Sequence, residues 1–217
     1  ETEIAAIVTH RLFRWIDRAA AANTARAYMD YYRQCVERNA NLPQRALRAE
    51  YAQEIEADYP FHPDLLTALN RKVSTIPNFQ KTRGALRLLA MVVRQLWDYP
   101  QDRICLIHPF DVDLGHEGIA NDLTGRLERP RFKQVIEADI VSHLAGSQAH
   151  AQAIDALVGG APFTQRVATT AFIHSLTQGV ASGGEPADLT LAVLTPGDDP
   201  ALVQRAADRL LDKGWYF

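Results

Sequence analysis

Residues 79–97 read FQKTRGALRLLAMVVRQLW. At 100° per residue, Leu86, Leu89, Ala90, Val93, Leu96 and Trp97 fall on one apolar face, which predicts a long amphipathic helix. Leu88, Met91 and Val92 lie on other faces and widen the apolar surface, so burial on more than one side is expected. Arg83, Arg87 and Arg94, at i, i+4 and i+11, form a narrow cationic stripe beside it. A charge held out of water needs an anionic partner. Two partners are open here: protein carboxylates, or a bound phosphate.

Helical patterning continues on both sides. Residues 3–38 carry Ile4, Ile7, Val8, Leu12, Trp15 and Ile16 at helical spacing. A break is expected near Ala22-Asn23, with Asn23-Thr24 capping a second helix that bears Tyr28, Tyr31, Tyr32, Cys35 and Val36. Residues 44–58 read as an amphipathic helix. In Tyr59-Pro60-Phe61-His62-Pro63-Asp64 two prolines frame a rigid turn, and Pro63 suits the first turn of a helix holding Leu65, Leu66 and Leu69. Residues 103–107 read as a short strand or buried extended segment stopped by His108-Pro109, and residues 113–129 and 130–144 as helices. Gly159-Gly160-Ala161-Pro162 is the clearest boundary. Beyond it, 162–178, 186–194 and 200–213 read as three helices with Gly214 as a C-cap. Trp215-Tyr216-Phe217 then reads as the first strand of a wing. The expected fold is mainly α, with a helical domain over 1–158 and a winged-helix-like module over 159–217.

The 217 residues are 47% hydrophobic, enough for a core, and the formal net charge is −3. That balance argues against strong non-specific nucleic-acid binding by the whole chain. No apolar run approaches the roughly 20 residues of a membrane span, and no membrane partner is expected. Cys35 and Cys105 match no metal or redox spacing and are expected as buried free thiols, which suggests a reducing, cytoplasmic compartment. The chain begins on Glu1 and ends on Phe217, which suggests a piece of a larger protein.

Several constellations bear on chemistry. In Gly84-Ala85-Leu86-Arg87 a glycine at a helix start permits close approach, and an arginine one turn in reaches a phosphate bidentately. Internal ion pairing is the alternative. His108, Asp111, Asp113 and His116 offer metal-binding side chains, but their spacing fits no metal motif, and Asp113 also reads as a helix cap. His62, between prolines, reads as a packed turn residue rather than a base. On the last helix Arg205, Arg209 and Lys213 share a stripe and are the candidate DNA contacts of a winged helix. Asp208 and Asp212 lie beside them and cancel much of the charge, so protein docking is an equal reading.

The segments Tyr59–Leu66 and Phe79–Ala90 together resemble a large prokaryotic ATPase family, a domain of unknown function found in phage-defence and DNA-modification gene clusters. The resemblance continues through Ile107–Leu114 and Phe172–Leu176. Members of that family resemble AAA+ proteins. The resemblance implies a lid-like helical bundle over 1–158, with Arg87 as a second-sensor arginine and Arg83 as a further phosphate or acid contact. It implies ATP and Mg2+ as cofactors of the complete protein only, and as partners an N-terminal ATPase core of the same polypeptide and other subunits of a defence complex. The sequence holds no G-x-x-x-x-G-K-[ST] and no apolar strand running into Asp-Glu, so no hydrolysis is expected from this stretch alone. The competing expectation is a helical scaffold or a DNA- or protein-binding adaptor with no nucleotide role.

Overall fold

The computed structural model describes residues 2–71, 73–75, 81–101, 105–125, 130–177 and 183–214. These residues are mainly helical. Helix α1 spans Thr2–Leu12 and α2 spans Arg18–Glu37. The break between them falls at 13–17, not at Ala22-Asn23. The Asp17 carboxylate accepts the N–H groups of Ala19 and Ala20 at 2.9 and 3.1 Å, which satisfies donors that the helix start leaves open. Asn23 and Thr24 have capping side chains but sit inside an unbroken alanine-rich run, where helix propensity prevails.

Helix α2 buries Ala21, Ala25, Tyr28, Tyr32 and Cys35 along one side and packs on α3, Ala49–Asp58. Helix α4 spans Pro63–Arg71 and α5 spans Lys81–Asp98. Then follow α6 (Glu117–Gly125), α7 (Pro130–Val135), α8 (His150–Val158), α9 (Phe163–Ser175), α10 (Pro186–Val193) and α11 (Pro200–Lys213). Helix α7 runs into a π-helical turn, Ile136–Ile140. Four of these helices open on proline, where the missing N–H costs nothing and φ is already helical. Helix α8 carries no strong apolar stripe, and its Leu157 and Val158 stay exposed. Gly214 closes α11 through its N–H to the Leu210 carbonyl, at φ −70 rather than in the left-handed form.

Helix α9 is buried almost all round. Phe163, Thr164, Arg166, Val167, Ala168, Thr169, Thr170, Phe172, Ile173 and His174 all lie inside. It packs on α8, α10 and α11, and also on α4 and the 3-10 turn Pro109–Asp111. Helices on both sides of Gly159-Gly160 therefore share one apolar cluster running from Val8 to Leu210. No strand accompanies α9–α11 among the described residues, and the expected wing strand at 215–217 lies outside them. The winged-helix expectation thus has no support in the fold. Of the expected extended segment at 103–107, residues 103 and 104 lie outside the described residues, and Ile107 forms a parallel bridge with Phe61. No helix among the described residues is long and apolar enough to cross a membrane.

The buried side of α5 differs from the predicted one. Ala85, Leu88, Leu89 and Val92 are buried, whereas Trp97 is 81% exposed and Ala90 faces out. A helix with apolar residues on several faces has no unique stripe, and its neighbours decide which side is covered. Helices α1, α4 and α6 cover the Leu88 side. Leu88→Ala should therefore cost about 2–5 kcal/mol in urea denaturation, and Trp97→Ala less than about 0.5 kcal/mol. Equal losses at the two positions would contradict this placement.

Candidate functional site

The three arginines of α5 meet three different fates. Arg94 is exposed and pairs with Asp98 one turn on, at 2.7 Å. An exposed pair of this kind contributes little. Arg83 is exposed and has no ion-pair partner among the described residues. Arg87 lies between these extremes. Its Nε donates to Asp122 Oδ1 at 2.8 Å and its Nη2 to Oδ2 at 3.1 Å. Asp122 sits on α6, which Ile119, Ala120 and Leu123 anchor in the core. The side chains of Arg87 and Asp122 are 33% and 10% exposed. The pair is thus partly desolvated, and its two parallel bonds fix the guanidinium plane. Of the quoted stretch, Phe79 and Gln80 lie outside the described residues.

The two proline-bounded histidine segments meet in the interior. The Ile107 N–H donates to the Pro60 carbonyl at 2.8 Å, and the His62 N–H donates to the Ile107 carbonyl at 2.9 Å. This brings the His62 and His108 rings into a stack with centroids 4.3 Å apart, and both residues are fully buried. His62 Nδ1 accepts the Asp64 N–H at 3.2 Å, so its Nε2–H donates to the Tyr32 hydroxyl at 3.1 Å. His108 has the opposite tautomer. Its Nδ1–H donates to the Ala192 carbonyl at 2.8 Å, and its Nε2 accepts the Tyr28 hydroxyl at 2.8 Å. Burial, with Arg45 adding to it, pushes the His62 pKa down to about 3. His62 is thus a neutral structural group, as its packed reading anticipates, and His108 is buried beside it with both ring nitrogens hydrogen-bonded.

A charged cluster closes one end of this core. Arg45 bonds Asp64 at 3.0 Å and Asp188 at 2.7 Å, tying α4 to α10. The Tyr51 hydroxyl donates to the other Asp64 oxygen at 3.3 Å. Burial raises the Asp64 pKa, and the Arg45 guanidinium opposes that rise. On the far side Phe110 stacks on His108 at 4.9 Å. Arg166 lies 5.0 Å from the Phe110 ring and 4.9 Å from the Phe163 ring, and it donates to Asp198 at 2.9 Å. A cleft of about 410 Å³ opens beside these groups, lined by Gln95, Phe110, Asp113 and Arg166 among others.

The His108, Asp111, Asp113 and His116 set does not converge. Asp111 Oδ2 accepts the His108 N–H at 2.8 Å, and Asp113 Oδ1 accepts the Gly115 N–H at 2.8 Å. It is His116, not Asp113, that caps α6, accepting the Ile119 N–H at 3.3 Å. Among the described residues no group of three or more His, Cys, Asp or Glu side chains is placed to hold a metal. Arg205, Arg209 and Lys213 all lie exposed on α11, with Asp208 and Asp212 exposed between them. Cys35 is buried and free, as expected, but Cys105 is exposed.

A mainly helical domain with a hydrogen-bonded histidine pair in its interior and two arginines at the surface is the class these features define. The chain belongs to the family described as DUF499 second domain, whose profile matches residues 1–188. No curated protein and no solved structure matches the chain.

Sequence reasoning missed Asp122 and Arg45. Asp122 is separated from Arg87 by 35 residues, and nothing in either local pattern marks the pair. The buried histidines make a measurable prediction. An unfolded histidine takes up a proton below about pH 6.5, whereas folded His62 resists protonation down to about pH 3. In that window the unfolded state binds more protons. The stability is full above about pH 6.5 and falls as pH drops, by up to about 1.4 kcal/mol per pH unit. Urea titrations between those limits should show a shallower pH slope for His62→Gln than for the wild type. An unchanged slope would mean that His62 titrates normally.

Proposed function

We propose that this domain supplies arginine to the phosphates of ATP bound by a core elsewhere in the same polypeptide, as the lid of an AAA+ ATPase does. Arg87 would be the second-sensor arginine and Arg83 a further phosphate contact. The observation that carries the reading is their placement. They lie one turn apart at the start of α5, Arg83 exposed and Arg87 at the surface with its plane held by Asp122. Two guanidinium groups so placed suit an anion with several oxygens. The family description, a second domain, is compatible with a separate phosphate-binding core.

On this reading the core holds ATP and Mg2+, and the helical domain closes on them. The negative charge that develops on phosphoryl transfer is stabilised by the arginines. The family resemblance would place that activity in the cytoplasm, in DNA-modification or phage-defence systems with further subunits. Exposed Arg205, Arg209 and Lys213 are the sole support for a DNA contact by the 159–217 module. Asp208 and Asp212 lie exposed between them and offset much of that positive charge.

In the full-length protein, Arg87→Ala should bind ATP and lose about 10²–10³-fold in kcat. Equilibrium nucleotide binding and steady-state phosphate release measure the two effects. Undiminished turnover would remove the assignment.

A further inference from the structure

We propose that Asp122 is a positioning residue for Arg87 at the phosphate contact; this rests on the nucleotide role given to Arg87 above. The argument is geometric. Asp122 engages the guanidinium side-on, through Nε and Nη2 at 2.8 and 3.1 Å. That mode occupies the edge nearest the helix and leaves Nη1 and the outer hydrogen of Nη2 pointing away from the carboxylate. Among the described residues Nη1 makes no hydrogen bond. The terminal edge is the one that approaches a phosphate, so holding the plane from behind sets the direction of approach.

The burial pattern separates Arg87 from its neighbours. Asp122 is anchored on α6 by buried residues on both flanks, and its side chain is only 10% exposed. Its backbone is therefore set by the packing of α6 in the core. Arg94 leans on Asp98, whose side chain is 40% exposed on the same helix. Arg83 has no such support among the described residues. A long arginine side chain otherwise loses rotamer freedom on meeting its ligand, and Asp122 removes that freedom beforehand.

The carboxylate also carries a negative charge near the incoming phosphate. It therefore aids orientation without tightening ground-state binding. This gives the pair a kinetic signature. In the full-length protein Asp122→Ala should lower kcat for ATP by about 10–100-fold with KM for ATP unchanged or lowered. In an Arg87→Ala background the same change should have no further effect, since there is nothing left to position.

The assay is run at a temperature where circular dichroism shows every variant folded, and Asp122→Asn replaces the alanine variant if that one does not fold. Full kcat in the Asp122 variant, or an equal loss of kcat in both backgrounds, overturns the positioning role. Turnover unaffected by Arg87→Ala alone overturns the nucleotide reading instead, so the two failures are distinct.

Discussion

Two imidazole rings stacked 4.3 Å apart with no access to water are the constraint on which the interior depends. A buried polar ring is tolerated only when each nitrogen has a partner. Here each does, and the partners come from three separate helices. Tyr28 and Tyr32 come from α2, the Asp64 N–H from α4 and the Ala192 carbonyl from α10. The Pro60–His62 and Ile107 segments are bonded to each other at the centre. Satisfying four ring nitrogens thus fixes how helices distant in sequence are assembled around α9.

Charged groups continue the same arrangement outward. Arg45 links α4 to α10 through Asp64 and Asp188, and Arg166 links α9 to Asp198 at the turn before α11. The Tyr31 hydroxyl donates to the Asp198 carbonyl from α2. Removing one member of such a network leaves a buried charge or donor uncompensated, which is costly. These cations and the histidines are engaged in structural roles, whereas Arg83 and Arg87 at the start of α5 lie at the surface.

How much of this was legible follows from the kind of signal each feature leaves. Helix α4 starting on Pro63 and α11 capped by Asp199 and Pro200 were readable, because caps and prolines act locally. The packed role of His62 was readable from its proline frame. The facing of α5 was not, since its apolar residues surround much of the helix and only tertiary cover distinguishes Leu88 from Trp97. The break at Asp17 was hidden by cap-type residues at Asn23 and Thr24. The short α8, with apolar residues left in solvent, gave no periodic signal to read. At the candidate site Arg83 and Arg87 were legible as a pair one turn apart. Asp122 was not, because an ion pair across 35 residues is written in the fold and not in any window of sequence.

A histidine-centred interior builds the domain, and the arginine edge of α5 is the part proposed to contact nucleotide. The most direct measurement is a structure of the full-length protein with a non-hydrolysable ATP analogue and Mg2+. It should place a terminal nitrogen of Arg87 about 2.7–2.9 Å from a phosphate oxygen with the Asp122 pair intact. A bound nucleotide with Arg87 turned to solvent, or with α5 remote from the phosphates, would contradict it.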